Sequence, residues 1–307
     1  MKKTIRTTPR QTKNNDLLVP IDFSASSAKA LEYATALARK RGAHIRVLHV
    51  LEPPTGLDYV DPVFVRWDKQ VTDAAQIRLT RFATGITGGD IPLAPEIRIG
   101  RAHIEIGEVA RKRKSDLIII GSRGFTGLKH LLLGSTAERV LRHAPCSVLV
   151  VKSAGGKKEK PIVAPKRILV PTDFSKPAEQ ALQAAVSLAR QYGARMNLLY
   201  VVPIHYAGGD YDLMDYATLA AEQKAAGRKQ LVALRRKLVA QGLSASIDVR
   251  YGRPAIEINT AAGKTNADLI VIATHGRTGW HRAMLGSTTE ETVRHAACPV
   301  LIVRKNS

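Results

Sequence analysis

The stretch DLIIIGSRGFTGLKHLLLGST occupies residues 116–136 and returns as DLIVIATHGRTGWHRAMLGST at residues 268–288. Each copy consists of an apolar run, a loop containing glycine, and a Gly-Ser-Thr triplet. The apolar run is rich in Ile, Leu and Val and has no polar alternation, which favours a buried parallel strand. Backbone N–H groups can converge on an anion where such a strand runs through glycines into a helix. The stretch therefore predicts a phosphate site, present twice.

The glycines of the two copies keep the same spacing. The two patterns are Gly121-x2-Gly124-x9-Gly134-Ser135 and Ala273-x2-Gly276-x9-Gly286-Ser287. A phosphate needs N–H donors at short range, and a Cβ atom there would block its approach. The other interpretation is that the glycines only shape turns, and it would be preferred for a single loop because short glycine patterns are common. Two copies with conserved spacing favour binding.

The duplication extends over most of the chain. Residues 134–151 and 286–303 are identical at 11 of 18 positions without a gap. Each half reads as βαβαβαβαβ, which predicts a parallel sheet with helices on both faces. We expect domains at 16–152 and 166–305, a linker at 153–165 rich in Gly, Lys and Pro, and a basic tail at 1–15.

An acidic residue follows the first predicted strand of each half. Asp22 stands in PIDFS and Asp173 in PTDFS. Ligands of doubly wound folds lie outside the carboxyl ends of the strands, where an Asp can accept a hydrogen bond from a ribose hydroxyl or an adenine amino group. The alternative is that the Asp caps the next helix, since Asp is a strong N-cap residue. The two roles are compatible.

Composition excludes several classes of protein. The 307 residues are 45% hydrophobic and contain no run of 18 apolar residues, so we expect no membrane span. The basic N-terminus is not followed by an apolar segment and does not read as a secretory signal. Only Cys146 and Cys298 occur, at matching positions, so we expect core cysteines, no disulfide scaffold and a cytoplasmic location. No His/Cys spacing is typical of a metal site.

The formal net charge of +21 raises nucleic acid as a partner. Residues 1–152 hold 25 Lys and Arg against 14 Asp and Glu, which gives +11, and residues 153–307 hold 22 against 12, which gives +10. The charge is thus shared by both halves and not gathered in one binding module. Aromatic residues make up only 5% of the chain, which disfavours base-stacking platforms.

With these motifs the chain resembles the universal stress protein family in its tandem form. The matching segments are PIDFS and PTDFS, GSRGFTG and ATHGRTG, LLLGST and MLGST, and CSVLVV and CPVLIV. The resemblance implies a five-stranded parallel sheet in each of two Rossmann-like domains. It further implies that the domains pair through their last strands as an intramolecular pseudo-dimer, with a homodimer as a further possibility.

Members of the family that carry the glycine motif bind ATP or a related adenine nucleotide, and the resemblance extends this to specific positions. It places Asp22 and Asp173 at the adenosine and the backbone of Val50 and Val201 at adenine. Ribose and phosphates would meet Gly121, Gly124, Gly134, Ser135 and Thr136 in the first half and Ala273, Gly276, Gly286, Ser287 and Thr288 in the second. Ala273 replaces a motif glycine, and its methyl group could crowd the ribose or phosphate.

The resulting hypothesis is a stress-response protein whose nucleotide occupancy is a signal, with ATP, ADP or AMP as ligand and Mg²⁺ as a companion of the nucleotide. A slow ATPase or nucleotide-transfer enzyme is the first alternative. It ranks lower because no general base or paired-carboxylate metal site is evident. The second alternative is a basic protein associated with nucleic acid, whose binding would fall steeply with salt.

Overall fold

The computed structural model describes residues 15–53, 62–122, 133–152, 164–204, 213–276 and 285–304. The elements of the first half are β1 Asp16–Pro20, α1 Ala25–Arg41, β2 His44–Leu51, α2 Pro62–Thr87, β3 Leu93–Ile99, α3 Ala102–Arg113, β4 Leu117–Gly121, α4 Ser135–His143 and β5 Ser147–Val151. Those of the second are β6 Arg167–Pro171, α5 Lys176–Tyr192, β7 Arg195–Pro203, α6 Leu213–Val239, β8 Ala245–Gly252, α7 Pro254–Lys264, β9 Leu269–Ala273, α8 Ser287–His295 and β10 Val300–Val303.

The described strands form one ten-stranded sheet in the order β3-β2-β1-β4-β5-β10-β9-β6-β7-β8. Neighbouring strands within each half are parallel, as the βα alternation predicts. The two halves meet at β5 and β10, which are antiparallel with Leu149 opposite Leu301. This confirms the pairing through the last strands, and it relates the two halves by a pseudo-two-fold axis at this residue pair.

Side chains that alternate along the strands build a separate core on each face of the sheet. Val19 and Ile119 point to the face covered by α1, α2, α5 and α6. Leu18 and Ile118 point to the face covered by α3, α4, α7 and α8. All four side chains are fully or almost fully buried. The continuous apolar runs of the sequence are explained by this burial on both faces.

The first helix of each half begins at a serine cap. The Ser24 hydroxyl accepts a hydrogen bond from the Ser27 N–H at 3.2 Å, and the Ser175 hydroxyl accepts one from the Ala178 N–H at 3.3 Å. Both helices end at a glycine in the left-handed conformation, at Gly42 and Gly193. Ser caps at the start and Gly at the end explain why these helices could be located from sequence.

The predicted elements are present, with shifts of a few residues at their ends. The first strand of each half, expected to end at Pro20 and Asp22 in the first half with Ser24 as the helix cap, ends at Pro20 in β1 and at Pro171 in β6. The second helix begins at Pro62, where a fixed φ and a missing N–H suit a first helical turn. Residues 1–14 and 153–163, most of the predicted tail and linker, lie outside the described residues.

Both cysteines are buried, as expected for core residues. Burial raises the pKa of each thiol to about 12, so neither is a reactive thiolate at neutral pH. The basic cluster at 111–114 closes α3, where cations complement the helix dipole. Within the described part of the chain, no helix combines the length and apolar character that a membrane crossing requires.

Candidate functional site

The predicted site residues lie where β1, β2 and β4, and their counterparts β6, β7 and β9, reach the carboxyl edge of the sheet. Asp22 comes two residues after β1, and its Oδ1 accepts a hydrogen bond from the Ser24 N–H at 3.0 Å. Asp173 does the same for Ser175, also at 3.0 Å. The alternative that the Asp is the helix cap is therefore wrong: serine is the cap. Each Asp instead holds the turn that leads into the helix.

An aromatic pair lies beside each of these acids. Phe23 and Phe174 both have φ of +63°, a conformation that a bulky residue rarely adopts. The turn aims Phe23 at His49, with ring centroids 4.6 Å apart, and aims Phe174 at Tyr200, at 5.0 Å. These pairs were not predicted from the sequence, although the repeated PIDF and PTDF segments contain their first members.

His49 is held in one tautomer by the turn. Its Nδ1 lies 2.7 Å from the carbonyl oxygen of Ile21, which can only accept, so Nδ1 carries the proton and Nε2 remains an acceptor. Burial lowers the pKa of His49, the hydrogen bond to Ile21 opposing this shift. The ring is therefore neutral at pH 7. Tyr200 occupies the corresponding place in the second half, so the two sites differ in this group.

The main chain of Val50 and Val201 extends past the neighbouring strand. The Ile21 N–H donates to the Leu48 carbonyl at 2.7 Å, and β1 has ended by this point. Because alternate residues of a strand direct their polar groups to the same side, the N–H and C=O of Val50 face the space beyond β1. Val201 stands likewise beyond β6, two residues after Leu199, whose carbonyl accepts from the Thr172 N–H at 2.8 Å.

Gly121 is required by packing against the first helix. A Cβ atom on this residue would lie 2.7 Å from the Cβ and carbonyl carbon of Ser26, much closer than such atoms approach. Ala273, its counterpart, is 7% exposed and belongs to the core, and its carbonyl accepts a hydrogen bond from the Thr289 hydroxyl at 2.8 Å. The difference between Gly121 and Ala273 is therefore a difference in how the strand packs against the helix.

Gly134 and Gly286 are the N-cap residues of α4 and α8 and have half-exposed backbones. Their N–H groups are already bound, to the carbonyls of Ser122 at 2.9 Å and Thr274 at 2.7 Å. These bonds join each helix start to the end of the preceding strand. The glycines therefore leave the start of the helix open to a ligand, and the free N–H donors belong to the residues that follow.

The first turns of α4 and α8 carry no side-chain cap. The first helical bond of α4 runs from the Glu138 N–H to the Gly134 carbonyl at 2.9 Å, and in α8 from Glu290 to Gly286 at 3.0 Å. The N–H groups of residues 135–137 and 287–289 precede these bonds and point out of the helix. Ser135 and Ser287 are exposed, so their hydroxyls are accessible there.

Gly276 brings the loop of the second half against the acid. A Cβ atom on Gly276 would lie 2.5 Å from Oδ2 of Asp173. Only glycine therefore fits beside this carboxylate, which places the motif glycine and the acid in one site. The corresponding Gly124 lies outside the described residues. Among the residues that the structure describes, no group of three or more His, Cys, Asp and Glu side chains could hold a metal ion.

Comparison with known proteins gives consistent matches. The model of the universal stress protein family matches residues 13–152 and again 165–304. A universal stress protein of Methanocaldococcus jannaschii is 33% identical over 140 residues, 46% of this chain and 82% of that protein. One from Mycolicibacterium smegmatis is 25% identical over 299 residues, 94% of this chain and 96% of that protein. The crystal structure of a universal stress protein from Archaeoglobus fulgidus superposes with a TM-score of 0.68 at 23% identity, covering 95% of this chain and 97% of that one, and shows the same fold.

Proposed function

Because this chain belongs to the universal stress protein family, we propose that each half binds ATP, or the related ADP or AMP, at the carboxyl edge of its sheet. Occupancy of the two sites would then be the signal of a stress-response regulator. The observation that carries the proposal is the uncapped first turn of α4 and α8, which lies at the same edge as Asp22 and Asp173.

The contrast between the helices supports an anion at this place. α1 and α5 satisfy an N-terminal N–H with a serine hydroxyl, whereas α3, α4, α7 and α8 have no side-chain cap. Of these four helices, only α4 and α8 begin at a glycine. Three N–H groups and the positive end of the dipole are suited to phosphate oxygens. In the proposal, the N–H groups and hydroxyls of Ser135, Thr136, Ser287 and Thr288 bind the phosphates.

The acid and the second strand would recognise the nucleoside. Asp22 uses Oδ1 for the turn, and its other carboxylate oxygen would accept a hydrogen bond from a ribose hydroxyl. The N–H and C=O of Val50 form a donor and acceptor pair suited to the edge of adenine. Asp173 and Val201 would take these roles in the second half. Mg²⁺, if it accompanies the nucleotide, would be held by the phosphates.

Substitution of Asp22 by Asn separates the structural role from the binding role. The amide oxygen of Asn can still accept from the Ser24 N–H and keep the turn, but its NH₂ group cannot accept from a ribose hydroxyl. A hydrogen bond to a charged group contributes about 1.5–3 kcal/mol, so Asp22→Asn should weaken ATP binding roughly tenfold to a hundredfold at the first site. The measurement is isothermal titration calorimetry with ATP, beside the nucleotide content of the purified chain.

The matched variants are Asp173→Asn for the second site and the double variant for both. Weakening of one of the two binding events in each single variant, with an unchanged circular dichroism spectrum, supports the proposal. Tight ATP binding by the double variant would refute it. Single-turnover release of ADP separates an ATPase from a binding protein. Binding to nucleic acid that persists in the double variant would identify an independent, charge-driven activity.

A further inference from the structure

A cavity of about 450 Å³ lies between the two halves, on the face of the sheet covered by α1 and α5. Its floor is formed by Leu149 and Leu301, the residues that face each other across the pseudo-two-fold axis, and Leu37 and Leu188 stand on its two sides. Asp116 and Asp268 lie at its ends, next to the amino ends of β4 and β9. The cavity is therefore distinct from the nucleotide sites, which lie at the carboxyl ends of these strands.

A difference between the repeats explains why there is space. Positions in α1 correspond to positions in α5 with the offset of 151 that relates Asp22 to Asp173. Leu37 thus corresponds to Leu188, but Tyr33 corresponds to Ala184, and all four line the cavity. Tyr33 is almost fully buried, so its ring occupies its side of the interface, whereas the methyl group of Ala184 leaves the opposite side open.

The wall of the cavity contains a buried hydroxyl group that has no hydrogen-bond partner among the described residues. Tyr192 lines the cavity, and its hydroxyl oxygen is buried with no hydrogen-bond partner among the described residues. A buried polar group left unsatisfied is destabilising, so an acceptor from a ligand would be favoured here. The Lys40 ammonium lies 4.9 Å from the centroid of the Tyr192 ring and favours an acceptor with negative charge.

The carboxylates at the ends of the cavity already have donors. Asp116 accepts from the Asp16 N–H at 3.3 Å. Asp268 accepts from the N–H groups of Lys166 at 2.8 Å and Arg167 at 2.9 Å. These acids therefore do not require a cation in the cavity, and they do not supply the acceptor for Tyr192.

We propose that this interdomain cavity binds a small amphipathic carboxylate, with its apolar part between Leu37 and Leu188 and its carboxylate accepting from the Tyr192 hydroxyl. The volume falls in the range of small-molecule sites, and the lining combines a mostly apolar surface with charged groups, among them Arg41 and Arg304, which favour an anionic ligand. This ligand would be a second signal to the pseudo-dimer besides the nucleotide, and it would bind where the two halves join.

The test uses octanoate as the probe and octanol as its neutral match. Calorimetric titration of the full chain should show saturable binding of one octanoate per chain, with octanol at least tenfold weaker. Tyr192→Phe, which removes one oxygen atom, should weaken octanoate roughly tenfold and octanol by less, because the neutral hydroxyl of octanol accepts a weaker hydrogen bond than a carboxylate. Absence of saturable octanoate binding to the unmodified chain overturns the proposal. Equal affinity for octanol and octanoate overturns the assignment of a carboxylate.

Ala184→Tyr tests the location, because it introduces at this position the residue of the other repeat and fills the cavity. It should abolish octanoate binding while ATP binding stays unchanged. Gln180→Tyr, at an exposed position of the same helix that does not line the cavity, is the control and should bind octanoate normally. Normal octanoate binding by a folded Ala184→Tyr variant overturns the proposal. If that variant does not fold, the Tyr192→Phe result decides.

Discussion

At the scale of single residues, Gly121 and Gly85 form a matched pair that tests close packing. Alanine at Gly121 would collide with Ser26, whereas alanine at the exposed helical Gly85 meets nothing within 4 Å. We expect Gly121→Ala to lower the free energy of unfolding by about 1–3 kcal/mol. Gly85→Ala should raise it by about 0.5–1 kcal/mol, because alanine loses less backbone entropy in a helix. Urea unfolding of both variants checks this, and equal effects would contradict the packing argument.

The two buried thiols predict a dependence of stability on alkaline pH. The pKa of Cys146 and Cys298 is about 12 in the folded chain, against 9.0 for an ordinary thiol. Thiolates therefore form first in the unfolded chain, so this contribution is complete below about pH 9 and is lost as the pH rises toward 12. Urea midpoints between about pH 8 and pH 10.5 should fall more steeply for the natural chain than for a Cys146→Ala/Cys298→Ala variant. Parallel slopes would show that the thiols do not contribute.

At the scale of helices, the same Ser-to-Ala substitution should have different effects at the serine-capped start of α1 and at the start of α4, where glycine is the N-cap residue. Ser24→Ala removes the cap of α1 and should cost about 1 kcal/mol of stability. Ser135→Ala removes an exposed hydroxyl that caps nothing in α4 and should change stability by less than about 0.5 kcal/mol. ATP binding should weaken in Ser135→Ala alone. Thermal unfolding and calorimetry measure the two effects, and a large stability loss in Ser135→Ala would show that this serine has a structural role.

For the whole molecule, four charged side chains join the halves on the face opposite the cavity. Arg142 of α4 lies 2.8 Å from Glu290 of α8 and 3.0 Å from Glu138, while Arg294 lies 3.1 Å from Glu290 and 3.9 Å from Glu138. The network is symmetric about the pseudo-two-fold axis, because residues 138 and 142 correspond to residues 290 and 294. It adds an electrostatic contact to the apolar strand pairing between the halves.

A double-mutant cycle of Arg142→Ala and Glu290→Ala should give a coupling free energy of about 0.5–1 kcal/mol at low salt. The coupling should decrease at high salt, because these side chains are partly exposed. The exposed pair of Lys112 and Glu108 within α3 is the control and should couple more weakly. Urea unfolding of the four chains in each cycle provides the values, and a coupling equal to that of the control would argue against a role in joining the halves.

The sequence by itself determined the order of strands and helices and the duplication, and it predicted the edge of the sheet at which we propose a site. Buried parallel strands, serine caps and glycine ends are local patterns, so they can be read without knowing what packs against them. The positions of Asp22 and Asp173 after the first strands were predictable for the same reason. The alternative in which Asp caps the helix is wrong, since Ser24 and Ser175 are the caps, and sequence does not distinguish a capping Asp from one that holds the preceding turn.

Only the tertiary structure decided which groups remain available at each candidate site. The N–H of Gly134 is bound by Ser122, the place of Gly121 is set by Ser26, and the ring of Phe23 meets His49. Each of these contacts joins residues from different elements, and the cavity beside Ala184 depends on both halves. Such pairings depend on the distances between packed elements, and a one-dimensional pattern carries no information about them.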